Sequence, residues 1–235
     1  MKIRYILIGI GTFVIIALVM APARLVHLAT ADLRDIEISQ PGGTLWSGFG
    51  DITVRGQHAG RIEWSLNPLQ LLTGTLSADW HLRDAHHDVA GTADARLDDT
   101  DITAAGFIDA PSVNRFLAPY HIQISGRLRM DGLSIVIDAN GRPHHMSGTI
   151  EWDGGQTRYR ISGSDRDVVL PPLVGHIATD ESQPSVSVYA VGSDVPLILA
   201  SIAATGWASV GVTREFMDLV GQPWQGREPN HAVVI

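Results

Sequence analysis

Two histidine pairs are the residues of this sequence whose types could support metal chemistry. The chain has 10 His, and His86-His87 and His144-His145 each stand among turn-forming residues. Adjacent side chains on a strand point to opposite faces of a sheet, so neither pair can bind one ion without a ligand from another strand. The sequence therefore predicts solvated hairpin ends at both pairs and no metal site.

Other catalytic residue types are missing or scattered. There is no Cys, which excludes a thiol nucleophile, and the only Lys is Lys2. The Arg residues stand singly and the formal net charge is −8, a pattern that argues against nucleic-acid binding. Asp98-Asp99-Thr100-Asp101 lacks the Gly and Glu of a calcium loop, and no Ser lies in a nucleophile-elbow motif. We predict a protein with no enzymatic activity, cofactor or nucleic-acid partner.

An apolar segment opens the chain. Residues 5–23, YILIGIGTFVIIALVMAPA, contain no charged residue and follow Lys2 and Arg4. As a helix this run would be roughly 28 Å long, close to the hydrocarbon thickness of a bilayer, and it would satisfy its own backbone hydrogen bonds there. We predict a transmembrane anchor with these side chains in the membrane: Tyr5, Ile6, Leu7, Ile8, Phe13, Val14, Ile15, Ile16, Leu18 and Val19.

The short tail before this segment sets the expected orientation. Residues 1–4 are too few to form a domain, so we expect them in the cytoplasm and the body on the other side of the membrane. A cleaved secretory signal is the alternative, because Ala21-Pro22-Ala23 has the small residues of a cleavage site. Against it, the apolar run is longer than the roughly 7–15 residues of a signal core. Either interpretation sends the body across the membrane.

Alternation of apolar and polar residues dominates the body. This period of two is typical of strands with one buried face, and turn formers such as Asn140-Gly141 favour antiparallel hairpins. The sequence predicts a mainly β fold, in which the transmembrane helix is followed by a mostly antiparallel, curved β-sheet or sandwich. Short helices are predicted at residues 67–72, 111–117, 196–203 and 213–220.

One pentapeptide is echoed within the body. GRIEW runs from Gly60 to Trp64, and GTIEW runs from Gly148 to Trp152. A Gly inside a strand often marks a bulge, and a Trp on the same face contributes a large apolar area. The echo suggests two related β units, residues 24–115 and 116–235. Chance similarity explains a match of this length equally well.

Several motifs follow one another in an order that resembles a known family. The residues that carry it are Gly43-Thr44-Leu45-Trp46-Ser47-Gly48, then Gly60 and Trp64, then Pro68 and Leu72, and finally Gly148 and Trp152. Together with the single N-terminal membrane helix, this order resembles the type II secretion system protein N family, also called general secretion pathway protein N. The resemblance covers the anchor and roughly residues 40–155, and it is loose beyond residue 160.

The resemblance implies a non-enzymatic accessory or structural subunit of type II secretion, which exports folded proteins across the outer membrane. It implies a single-pass protein of the bacterial inner membrane, with a cytoplasmic N-terminus and its β body in the periplasm. Its implied partners are the inner-membrane platform, the C-type linker protein and the secretin, besides membrane lipid. Trp46 and the glycines around it are candidates for partner recognition. Alternatively, Gly43 and Gly48 only permit a tight turn.

The sequence is also compatible with two other functions. A membrane-anchored lipid-handling module, like AsmA-type or lipopolysaccharide-transport bridging proteins, needs a curved sheet with an apolar face open along one edge. A closed sandwich would instead fill that face by packing. A metal-dependent periplasmic enzyme is the third hypothesis.

Overall fold

The computed structural model describes residues 22–23, 36–161, 163–180, 183–202, 208–222, 224 and 232–234. The predicted membrane segment therefore lies outside the described residues, except for Pro22 and Ala23. Over the described ranges, no helix combines the length and the apolar character needed to cross a membrane.

Strands make up most of the described chain, and the pairings described below are antiparallel, which confirms the mainly β, antiparallel prediction. The first eight strands are β1 Ile36–Gly43, β2 Ser47–Val54, β3 Gln57–Asn67, β4 Leu76–Asp84, β5 His87–Ala95, β6 Asp99–Asp109, β7 Ile122–Ile124 and β8 Arg127–Asp138. The others are β9 Pro143–Trp152, β10 Gly155–Ile161, β11 Ser164–Leu170, β12 Leu173–Asp180, β13 Gln183–Ala190, β14 Pro196–Ile202, β15 Ala208–Val212 and β16 Ala232–Val234.

The chain divides into two compact units, residues 1–84 and 85–235. In the first unit, β1 to β4 form a meander in which each strand pairs with the next one along the chain. Between β3 and β4 the predicted helix is a single 3₁₀ turn, Gln70–Thr73. The related β units expected from the echo, with a boundary at residues 115/116, stay a prediction.

The second unit has two sheets. The larger one has the strand order β5-β6-β8-β9-β12-β13-β14-β15-β16, and the smaller one has the order β11-β10-β7. Helix α1, Ala110–Leu117, begins with Pro111 in its first turn, as predicted. Helix α2, Arg214–Leu219, is capped as predicted by Thr213, whose hydroxyl accepts a hydrogen bond from the Phe216 N–H at 3.4 Å.

The predicted helix at residues 196–203 is wrong. Residues Pro196–Ile202 form β14, which pairs with β13 on one side and β15 on the other. The local signal was a Pro following an Asp, a weak helix start. Pairing with two neighbouring strands satisfies the backbone of this apolar segment, and tertiary context overrides such local preferences.

The prediction of a solvated hairpin end is also wrong for His87. His86 lies in the turn, but His87 begins β5 and is only 6% exposed. Its Nδ1 lies 3.4 Å from the hydroxyl of Ser112 on helix α1. The helix therefore covers the start of this strand, which no local pattern indicated. His144 and His145 are exposed, as predicted.

The core within each unit is shallow. No large side chain in the described part of the chain is less than 2% exposed. The buried apolar residues are Ala23, Ile38, Val89, Ala110, Trp152, Leu170 and Leu197. Most other apolar strand residues are half-buried. Much of the apolar surface of these strands therefore remains within reach of a partner or a ligand.

Candidate interaction site

The predicted recognition motif, residues 43–48, is a tight β-hairpin turn. Strand β1 ends at Gly43, β2 begins at Ser47, and Gly43 and Gly48 face each other across the hairpin. The Thr44 N–H donates to the Ser47 carbonyl at 2.9 Å, and the Ser47 N–H donates to the Thr44 hydroxyl at 3.1 Å. These bonds fix the turn that carries Leu45 and Trp46.

The two glycines of this turn are required for different reasons. Gly43 has a φ of +84°, and a Cβ at this position would lie 2.6 Å from the Ser47 carbonyl oxygen. A side chain there would be strained by the backbone conformation alone. Gly48 has an ordinary backbone conformation, but its Cβ would lie 2.6 Å from Cζ2 of Trp64. The second glycine therefore makes room for an indole ring.

Trp64 on β3 ties this turn to the next strand. Its indole N–H donates to the Leu45 carbonyl at 3.0 Å, and the Leu66 N–H donates to the Trp46 carbonyl at 2.6 Å. The structure thus brings together two motifs that are separate in sequence, residues 43–48 and Trp64. We call this cluster the Trp64 corner. Sequence analysis placed Trp64 on a buried strand face but did not connect it with the hairpin.

Trp152 has the same arrangement within the second unit. Its indole N–H donates to the Ser125 carbonyl at 2.8 Å, and a Cβ on Gly126 would lie 3.2 Å from the indole nitrogen. Gly60 and Gly148, which open the two echoed pentapeptides, have φ values of +115° and +128° and lie at irregularities of strand register. The two pentapeptides are therefore similar in backbone geometry as well as in sequence.

The end of the predicted membrane segment meets the Trp64 corner. Pro22 forms an isolated antiparallel bridge with Thr44, and Ala23 is 1% exposed. No pattern in the sequence indicated this contact, because a β bridge between two short segments leaves no periodic signal. The hairpin turn therefore pairs with the residue that directly follows residues 5–21.

The connection after β3 exposes an unusual number of apolar side chains. We call residues 68–76 the leucine loop. Four of its side chains are exposed, at 73% for Leu69, 43% for Leu71, 86% for Leu72 and 40% for Leu76. Pro68 is also exposed. The family motif residues Pro68 and Leu72 thus lie at the surface and not in a core.

Charged residues flank the corner. Glu63 forms a cross-strand ion pair with Arg83, and this hydrogen bond lowers the pKa of the Glu63 carboxyl below its usual value. The Arg61 guanidinium lies 4.4 Å from the centre of the Phe49 ring. Among the residues with described positions, no three His, Cys, Asp or Glu residues are grouped so that they could hold a metal ion.

Comparison with known protein families identifies the family of this chain. The family model for type II secretion system (T2SS), protein N matches residues 34–219. The chain belongs to the type II secretion system protein N family. This confirms the resemblance seen in the motifs, and the match extends well beyond residue 160, where the motif comparison was loose. No curated protein and no solved structure gives a significant match.

Membership assigns the protein a role in type II secretion. It also indicates a location in the cell envelope and other components of the secretion system as partners. The family is not a known enzyme family. The matched range includes the Trp64 corner, the leucine loop and Trp152.

The contact between Gly48 and Trp64 leads to a testable prediction about the Trp64 corner. Gly48→Ala is expected to lower the free energy of unfolding by about 1–3 kcal/mol, because its methyl group would overlap the indole and the carbonyl oxygens of Gly42 and Thr44, 2.6, 2.8 and 2.9 Å from the Cβ position. In a denaturant-unfolding double-mutant cycle with Trp64→Leu, the two losses should be less than additive, since the smaller side chain relieves the overlap with the ring but not the overlap with the two carbonyl oxygens. Additive losses would show that the ring does not press on residue 48.

Proposed function

We propose that the protein is a non-enzymatic accessory subunit of the type II secretion system, held at the inner membrane by residues 5–23 with its β units in the periplasm. Membership of the protein N family carries this proposal. The uncharged segment of roughly bilayer length supports the anchor. The bridge between Pro22 and Thr44 supports a β body that starts directly at the membrane surface.

The Trp64 corner is the contact surface that we propose for another secretion subunit, with the platform, the C-type linker protein and the secretin as candidates. Trp46 is half-exposed at the tip of a turn that several backbone hydrogen bonds hold. Aromatic side chains on rigid supports are frequent interaction hot spots, since little conformational entropy is lost on binding. Next to the turn, β1 is an edge strand of the first unit among the described residues. Such an edge can accept a strand from a partner.

Photo-cross-linking in living cells tests this proposal. A photoreactive phenylalanine derivative at Trp46 is expected to capture a subunit of the secretion system. The same photoreactive derivative at Gln57 is the matched control. Gln57 is exposed and begins β3, at the end of this strand that lies away from the Trp64 corner. Loss of the chain is expected to reduce export of folded proteins. Unchanged export together with no secretion subunit captured at position 46 would contradict the proposal.

Handling of lipid is a second candidate function, and two cavities of the second unit favour it. One has a volume of about 340 Å³ and lies between the larger sheet, the smaller sheet and helix α2. It is lined by Ile124, Leu128, Ile150, Trp152, Thr157, Leu170, Leu173, Gly175, Ile177, Val186, Val188, Ile198 and Phe216. A cavity of about 350 Å³ adjoins it and shares Thr157, Leu170 and Phe216.

The lining of these cavities defines the class of ligand. All but one of the side chains around the first cavity are apolar, and ligand pockets commonly measure roughly 300–1,000 Å³. The exception is Thr157, which is 7% exposed and whose hydroxyl has no hydrogen-bond partner among the described residues. An aliphatic chain with a polar group within reach of this hydroxyl fits the first cavity. The second candidate function is thus the binding of an acyl chain.

A further inference from the structure

We propose that the leucine loop, residues 68–76, inserts into the interfacial layer of the membrane that holds residues 5–23. The lipid surface is then a second attachment of the β body, besides the anchor itself. This inference rests on the anchor of the proposed function, and it assigns a lipid-binding role to residues that the family motif leaves without one.

The exposure of the loop is the first step of the argument. Leu69 and Leu72 are 73% and 86% exposed. Transfer of a fully exposed Leu side chain from water to an apolar surrounding is favourable by about 1.5–3 kcal/mol. A single exposed Leu is common, but Leu69, Leu71 and Leu72 in the connection and Leu76 at the start of β4 are all exposed. Exposed apolar side chains clustered in this way mark interaction sites.

The position of the loop relative to the anchor is the second step. Ser47 of the hairpin faces Ser65 of β3, and the leucine loop begins directly after β3 ends at Asn67. Pro22 bridges Thr44 in the same turn. The loop and the end of the predicted membrane segment therefore lie at the same end of the first unit. The polar interfacial layer is about 5–8 Å deep on each side of a bilayer, so this end lies beside it.

The chemistry of the loop is the third step. No residue between Glu63 and Asp79 is charged, whereas the whole chain has a formal net charge of −8. Anionic headgroups would repel acidic surfaces, but they do not repel this neutral segment. Two backbone amides of the loop are already bonded, since the N–H groups of Leu72 and Gly74 donate to the carbonyls of Leu69 and Leu71 at 3.2 and 3.1 Å. The loop can therefore enter an apolar layer without exposing free donors at these positions.

Depth-dependent fluorescence quenching tests this proposal on the full chain. Because the chain has no Cys, Leu72→Cys provides a single site for an environment-sensitive fluorophore, and the exposure of Leu72 makes this change harmless to folding. The labelled protein is reconstituted into vesicles of phosphatidylethanolamine and phosphatidylglycerol with a spin label on the headgroup or shallow acyl position. Quenching at position 72 is expected to be at least threefold stronger than at Gln57→Cys, about 30 Å away along β3.

Each other outcome has a defined meaning. Equal quenching at positions 72 and 57 would overturn the proposal, and so would a blue-shifted fluorophore at position 72 without quenching, which would indicate an apolar groove of a protein. A fluorophore at Phe13→Cys, with a deep spin label, reports on the anchor separately. Quenching at position 72 without quenching at position 13 would overturn the anchor and keep the loop in the membrane.

Discussion

Trp152→Ala is expected to lower the free energy of unfolding of the second unit by about 3–5 kcal/mol. The side chain is 9% exposed and lines the cavity between the two sheets, so truncation removes apolar contacts that neighbouring strands cannot replace by a small shift. It also removes the indole N–H from the Ser125 carbonyl, 2.8 Å away. The Ser125 carbonyl then loses its donor, and the net contribution of such a hydrogen bond is about 0.5–1.5 kcal/mol.

Urea unfolding followed by the β-sheet circular dichroism signal measures this loss. Trp152→Phe keeps most of the apolar area but not the N–H, and we expect it to cost about 1–2 kcal/mol. Trp64→Ala in the first unit is the matched control, because Trp64 has the same type of hydrogen bond but is half-buried. Its loss should be clearly smaller. A loss below about 1 kcal/mol for Trp152→Ala would contradict the buried position of this side chain.

Gly175→Leu is expected to prevent lipid from copurifying with the protein while leaving the fold intact. Gly175 lines the first cavity between Leu173 and Ile177, which share its face of β12. A Cβ at this position would make only ordinary contacts, at 3.7 Å to the Ile150 carbonyl oxygen and 3.8 Å to a Val188 methyl group. The rest of a leucine side chain would then occupy the space that we assign to an aliphatic chain.

Mass spectrometry of lipid extracts from the purified proteins provides the measurement. We expect the amount of lipid per chain to fall about tenfold in Gly175→Leu, which corresponds to about 1.4 kcal/mol of binding free energy. His176→Leu is the control, because this exposed neighbour points to the opposite face of the strand. The same reduction in both variants, or no lipid in the unsubstituted protein, would remove lipid handling as a candidate function.

The period of two in the body was sufficient to predict strands, because a strand with one covered face leaves that pattern in sequence. It was insufficient at residues 196–203, PLILASIA, where the apolar residues do not alternate with polar ones and Pro196 suggested a helix start. At His87 the pattern was read as a turn, and only the packing of helix α1, through Ser112, buries the side chain. The first error concerns a strand that pairs with the strands directly before and after it, and the second concerns a side chain covered by a helix 25 residues further along the chain.

The residues of the Trp64 corner could be predicted from the sequence only in part. The motif at residues 43–48 and Trp64 were both identified as candidates, and Gly43 was expected to permit a tight turn. The role of Gly48 depends on the position of the indole of a different strand, 2.6 Å from where a Cβ would lie. The bridge from Pro22 to Thr44 and the exposure of the leucine loop left no local signal at all.

The sequence by itself determined the family, through the order of its Gly and Trp motifs, and the antiparallel β character of the body, through alternation and short turns. It also excluded thiol chemistry, since composition alone decides that. Only the tertiary structure decided which glycine faces which indole, where the end of the predicted membrane segment meets the hairpin, and where cavities remain between the sheets. The physical reason is that alternation specifies which face of a strand is apolar, whereas strand order and register, set by all neighbouring segments together, decide what that face contacts.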